Sequence, residues 1–148
     1  DHRDLHSFPT RRSSDLHRHP FLLVDRIVSH DAGRSISCTY RVPPDHPYLR
    51  RSGGLAVFPS SLLVEALGQA AALCIRLSQP TETSSSSRLG FLVRADQWRF
   101  LGSVRATDEV SLAATLTAQY GPLHKFDVVA HLGEQPLATG SLTLHVEV

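Results

Sequence analysis

A single carboxylate, Glu65, interrupts the strongly apolar run LLVEALGQAAALCIRL over 62–77, with Gln69 four residues later and Ser60-Ser61 just ahead of the run. An acid among apolar neighbours is costly to leave charged, so it is either hydrogen-bonded for structural reasons or set up to move a proton. At a spacing of four, Glu65 and Gln69 share one face of a helix, and Gln69 reads as a buried hydrogen-bonding support. A base to work with that acid is harder to place. His46 lies on a loop ahead of the helix, where solvation alone accounts for a lone histidine. Arg51, in YLRRSGG, stays protonated at neutral pH and accepts nothing. Cys38 and Cys74 each sit in an apolar segment and in no metal-ligand spacing, so they read as small buried hydrophobes, with neither disulfide nor metal site expected.

The elements that must position these residues follow from periodicity. An apolar run from Pro20, a turn signal at Asp31-Ala32-Gly33 and an alternating run through Ile36, Cys38, Tyr40 and Val42 predict a hairpin, ended by Pro43-Pro44. A loop is expected over 43–57. Ser60 is the expected N-cap of a helix reaching almost to Ser78; apolar nearly all round, that helix should be buried. TETSSSSR then reads as a low-complexity surface loop. The rest is strand after strand: LGFLVRADQWRFLGSVRA, VSLAATLTAQY, HKFDVVAHL and PLATGSLTLHVEV, divided at Thr107-Asp108, Gly121-Pro122 and Gly133-Glu134. Two strands, one helix and four strands predict an α+β fold, an antiparallel sheet wrapping a single helix.

The 148 residues make one domain, and a net charge of +1 offers no basic field for nucleic acid; small-molecule or protein partners are favoured. No apolar run approaches the roughly twenty residues of a membrane span, and no hydrophobic signal region follows a charged leader, so a cytoplasmic location is expected. There is no glycine-rich phosphate loop. Residues 1–16 show no apolar period, and SFPTRRSSDL within them resembles the translation of a sequencing adapter. They are expected to be an artefact or polar tail, with the domain at 17–148.

Three motifs, in order, resemble the 3-hydroxyacyl-[acyl-carrier-protein] dehydratases of the fatty-acid type, a hotdog-fold family. HRHPFLLVDRIV resembles that family's opening strand, which includes His17 and His19; FPSSLLVEALGQAA resembles its central helix; ADQWRFLGSVRATDEV resembles its later segment of Arg-Phe, spacer and Gly-Asp, with Arg99, Phe100 and Asp108 matching. The loop with Gly53-Gly54 looks more like the dehydratase-like proteins of aryl-polyene and related polyketide clusters. The resemblance implies a hotdog fold, a homodimer or heterodimer, an acyl carrier protein or coenzyme A thioester as substrate, and no cofactor. It implies that Glu65 binds or protonates a leaving hydroxyl. It also implies that backbone N–H groups at Ser60-Ser61 hold the thioester carbonyl, with Phe58 and Gln69 lining the substrate. The family's histidine should stand fourteen positions before Glu65, where this chain has Arg51. His46 is the candidate substitute base, from this chain if the loop folds differently; otherwise a partner subunit supplies one. Two alternatives stay open: a noncatalytic acyl-binding or dimer-partner module, and a hotdog thioesterase using Glu65 and the helix start on water.

Overall fold

A computed structural model describes residues 3–4, 22–78 and 90–146, and His17 and His19 lie outside them. The first expected hairpin forms as β2 (Arg26–Asp31) and β3 (Ser35–Arg41), with a two-residue strand β1 (Arg3–Asp4) paired to β2. Its turn needs Gly33, whose φ of 73° is one that side chains with a Cβ rarely adopt. The Gly33 N–H also donates to Ser78 Oγ at 2.5 Å, and that hydroxyl donates to the Cys74 carbonyl at 2.6 Å. The hairpin turn is thereby tied to the end of the helix 45 positions away.

The expected loop over 43–57 is instead partly a second hairpin, β4 (Arg50–Ser52) and β5 (Leu55–Phe58). Its two-residue turn is Gly53-Gly54, with φ of 56° and 81°, the positive pair that a tight antiparallel turn demands. Further along, the long run from Gly90 divides into β6 (Gly90–Phe100) and β7 (Val104–Arg105), and β7 joins β4 and β5 in a three-stranded sheet.

Helix α1 spans Ser60–Leu77, with Pro59 as the N-cap residue, so Ser60 is the first helical residue and the expected serine cap is displaced by one. Proline is extended here (φ −63°, ψ 141°) and has no side-chain acceptor, which leaves the helix start without a side-chain cap. The apolar run is buried on one side only: Leu63, Ala66, Leu67, Gln69, Ala70, Ala71 and Cys74 are buried, while Ser61, Glu65, Gly68, Ala72 and Arg76 follow the opposite, more open side. By length and composition alone α1 could cross a bilayer, but its packed side faces protein.

β8 (Glu109–Tyr120), β9 (Leu123–Leu132) and β10 (Gln135–Val146) complete a seven-stranded sheet in the order β1-β2-β3-β8-β9-β10-β6, every pairing antiparallel. Alternation puts Cys38 and Tyr40 of β3, Leu112 and Ala114 of β8, Phe126 and Val128 of β9, and Leu142 and Leu144 of β10 on the helix side, all in one core with Leu67 and Cys74. This is the hotdog arrangement: a large antiparallel sheet packed on the one helix found among the described residues.

Candidate active site

Glu65 stands in the second turn of α1, half-buried, and the geometry around it is set by Gln69. Gln69 Nε2 donates to Glu65 Oε2 at 3.3 Å, while Gln69 Oε1 accepts the Leu23 N–H at 2.8 Å. A backbone N–H can meet only the oxygen end of an amide, so the Leu23 contact orients Gln69 and turns its NH₂ toward the acid. Leu23 belongs to the PFLLVD stretch, and the first and second family-like motifs are therefore hydrogen-bonded to each other across 46 positions.

His46, expected to be solvated, is buried at 3% exposure. The loop folds it inward: its N–H donates to the Pro43 carbonyl at 3.2 Å, and its carbonyl accepts the Leu49 N–H at 3.2 Å. The ring meets Phe58 edge-on, with centroids 5.5 Å apart and planes at 82°, and lies 5.9 Å from the Tyr48 ring. Phe58 in turn contacts Tyr40 at 5.9 Å. Nδ1 accepts the Tyr48 N–H at 3.2 Å. Sequence reasoning did not single out Tyr48; its only signal was that it follows His46-Pro47.

The structure thus makes two pairs, His46 with Phe58 and Glu65 with Gln69, joined through the short path from Phe58 over Pro59 into α1. At that junction the N–H groups of Leu62 and Leu63 donate to the Pro59 carbonyl at 3.0 and 3.3 Å. Ser60 and Ser61, both exposed, have N–H groups ahead of the helical ladder, at the positive end of the helix dipole. Arg51, where the family-like histidine was sought, is an exposed residue of β4 opposite Ala56. Two other arginines came from no sequence signal. Arg50 is paired with Val57 and Val57 with Arg105, so both guanidinium groups leave the same face of the small sheet.

The two cysteines have no chemical reach. Burial, and then the Cys74 sulfur, pushes the Cys38 thiol up to about 12; burial, and then Asp31, pushes Cys74 up to about 11. Both are protonated and inert at neutral pH.

An antiparallel sheet packed on a helix, with a carboxylate in that helix's second turn, is the hotdog architecture. The family model of the FabA-like domain matches residues 16–141, and the chain belongs to that family. The 3-hydroxyacyl-[acyl-carrier-protein] dehydratase FabZ of Nitrosomonas eutropha is 34% identical over 129 residues, covering 85% of this chain and 88% of that protein. Among solved structures, the dehydratase heterocomplex ApeI:P from Xenorhabdus doucetiae aligns with a TM-score of 0.73 at 18% identity, over 89% of this chain and 87% of that one. A mutant thioesterase from Pseudomonas aeruginosa aligns with a TM-score of 0.62 at 15% identity, over 82% and 79%. These two share the fold.

Proposed function

We propose that this chain binds 3-hydroxyacyl and enoyl thioesters on a phosphopantetheine arm, and interconverts them by losing or adding water during fatty-acid or polyketide-type chain building in the cytoplasm. The observation that carries this reading is Glu65 held by buried Gln69 one turn above the uncapped helix start. Dehydration needs a group to take the proton beside the thioester carbonyl, help for the departing hydroxyl, and donors for the charge that builds on the carbonyl oxygen. The Ser60 and Ser61 N–H groups suit the last task. Glu65 and His46 are the proton-handling and polarising groups, with Phe58 and Gln69 shaping the pocket.

The pantetheine arm brings a phosphate, and a carrier protein an acidic surface. The nine residues of β4, β5 and β7 include Arg50, Arg51 and Arg105 and no acid, in a chain whose net charge is +1. Among the described residues these guanidinium groups have no carboxylate within ion-pair distance; Asp108 instead accepts the Arg105 N–H at 2.9 Å through Oδ2. The face shared by Arg50 and Arg105 fits an anionic arm. The second subunit of a homodimer or heterodimer has a place as well. β6 is an edge strand of the large sheet with Phe91, Leu92 and Val93 45 to 54% exposed, an apolar edge suited to another chain.

One observation favours a noncatalytic partner subunit: the position fourteen residues before Glu65 carries Arg51, which cannot act as a base. Assays with crotonyl and 3-hydroxyacyl thioesters, following hydration, dehydration and thiol release, separate the readings. Hydration that disappears in Glu65→Ala supports the dehydratase reading; thiol release alone would make the chain a thioesterase. No reaction alone, but a gain on adding a complete dehydratase subunit, would make it a partner.

A further inference from the structure

Along the free edge of β6, charge and shape repeat on either side of one residue. Among the described residues β6 ends the seven-stranded sheet, with β10 on one side and no strand on the other. Its ladder to β10 is regular over three central residues: Arg94 opposite Thr143, Ala95 opposite Leu142 and Asp96 opposite Ser141. On either side of those three, β6 holds one residue more than β10. Val93 is the extra residue toward its start, and Gln97, with a φ of 57°, and Trp98 together oppose Gly140 toward its end. The strand is therefore bent at equal distances from Ala95. Leu142 lies in the core, so Ala95 points to the helix side and Arg94 and Asp96 stand on the opposite face. Exposed Arg94 and half-buried Asp96 form an ion pair there at 2.7 Å.

We infer that β6 pairs antiparallel with β6 of a second copy about a two-fold axis at Ala95, so that Arg94 stands opposite the partner's Asp96 and Asp96 opposite the partner's Arg94. This rests on the reading of β6 as the edge that takes the second subunit, and it selects a homodimer. Neighbouring registers are excluded by charge and by side. A slip of one residue would set helix-side residues of one copy against outward residues of the other. An axis at Arg94 would oppose two guanidinium groups and an axis at Asp96 two carboxylates, each destabilising across a ladder. At Ala95 the four charges alternate around the axis, every cation beside its own strand's carboxylate and facing the partner's. Farther out, Leu92 meets the partner's Trp98, apolar against apolar on the helix side, and the bend at Val93 meets the bend at Gln97. A second copy brings both the charges and the bends that this edge matches; a subunit without a base two residues ahead of an acid does not.

Ala95→Cys reads the axis directly. Facing side chains of an antiparallel pair have Cβ atoms about 4.5–5.5 Å apart, close enough for a disulfide, and the native Cys38 and Cys74 are buried away from the reaction. Oxidised glutathione should join two copies of Ala95→Cys and leave Leu92→Cys, three residues off the axis, unjoined. Sedimentation equilibrium tests the charges. Arg94→Asp sets carboxylate against carboxylate in both pairs, Asp96→Arg sets guanidinium against guanidinium, and each should weaken the homodimer about ten- to a hundredfold. Mixed together, the two variants face each other with opposite charges in both pairs and should recover most of the wild-type affinity. Cross-linking through Leu92→Cys instead, or a mixture that binds no tighter than either variant alone, would overturn this register. Dimers unaffected by all four changes would take the second subunit away from β6 altogether. A wild type that is monomeric alone, whether or not it joins a complete dehydratase subunit, would overturn the homodimer, while the thioester assays judge the dehydratase reading separately.

Discussion

Gln69 donates to Glu65 at 3.3 Å with one end of its amide and accepts from Leu23 at 2.8 Å with the other, both from a buried position on α1. It thereby links the acid to the segment that leads into β2. Gln69→Leu keeps the volume and removes both bonds, leaving the buried Leu23 N–H without its acceptor. The expected loss of stability is about 1–3 kcal/mol, read from urea unfolding midpoints at constant slope. Activity should fall further than stability explains, because Glu65 loses the contact that orients it.

Gly140 accepts the ring of Trp98 where any Cβ would sit. A Cβ built there would lie 2.5 Å from the indole, against which no backbone adjustment is free. Gly140→Ala should displace the indole, destabilise by about 1–3 kcal/mol, and shift the fluorescence of this single tryptophan toward that of an exposed one. An unchanged emission spectrum would contradict the close approach.

Thr107 has a φ of 70°, a conformation that a β-branched residue adopts at a cost. Its backbone is held there from both sides: its N–H donates to the Val42 carbonyl at 2.8 Å and its carbonyl accepts Arg41 Nη1 at 2.7 Å. Thr107→Gly relieves the strain while keeping both bonds, and should raise the stability by about 1 kcal/mol, seen as a higher melting temperature.

Arg50 and Arg105 face the same side of the small sheet. The double change Arg50→Gln with Arg105→Gln should raise KM several-fold for carrier-borne and coenzyme A thioesters, and the wild-type advantage should shrink with added salt. N-acetylcysteamine thioesters have no phosphate, so their KM should hold. A rise for all three substrates alike would point to distortion of the site.

Cys38, Cys74 and Tyr40 all hold their protons more firmly when folded. Burial is the main cause in each, with Tyr40 pushed up to about 12 against an ordinary value of 10.0, Asp25 adding to it. Unfolded chains therefore release these protons first, and unfolding gains as pH rises. Stability should be level with respect to these groups below about pH 9 and fall progressively from there toward pH 11–12. Thermal unfolding across that range, compared with Cys38→Ala/Cys74→Ala, should show a shallower alkaline decline in the variant.

Much of this fold was legible because it is periodic. Alternation through Ile36, Cys38, Tyr40 and Val42, and the mainly apolar run over 62–77, each have one simple solution. The β4–β5 hairpin was read as loop because Arg50–Ser52 is too short and too polar to alternate, although Gly53-Gly54 carried its signature. The helix start slipped by one because Ser60 is the better cap by chemistry, while the extended backbone of Pro59 decided it. Glu65 and Gln69 could be picked out from spacing alone. The burial of His46 could not, since it depends on Phe58, twelve positions away, and on a loop course that no local pattern encodes. Nor could the orientation of Gln69, set by a residue 46 positions earlier.

β6 has one more property. Between its pairings to Thr139 and Ser141 it holds one residue too many, with Gln97 at a φ of 57°, and it has another extra residue, Val93, between its pairings to Thr143 and Leu144. A straight, apolar edge of eleven residues would be a template for endless stacking, each new strand offering the same edge to the next. Two bulges so close together bend and twist the ribbon, so that no flat strand can follow its whole length. Among the described residues the opposite edge, β1, is two residues long. The sheet is built to stop growing: greasy enough at one border to welcome a neighbour shaped to the same bend, and too crooked to seed a fibre.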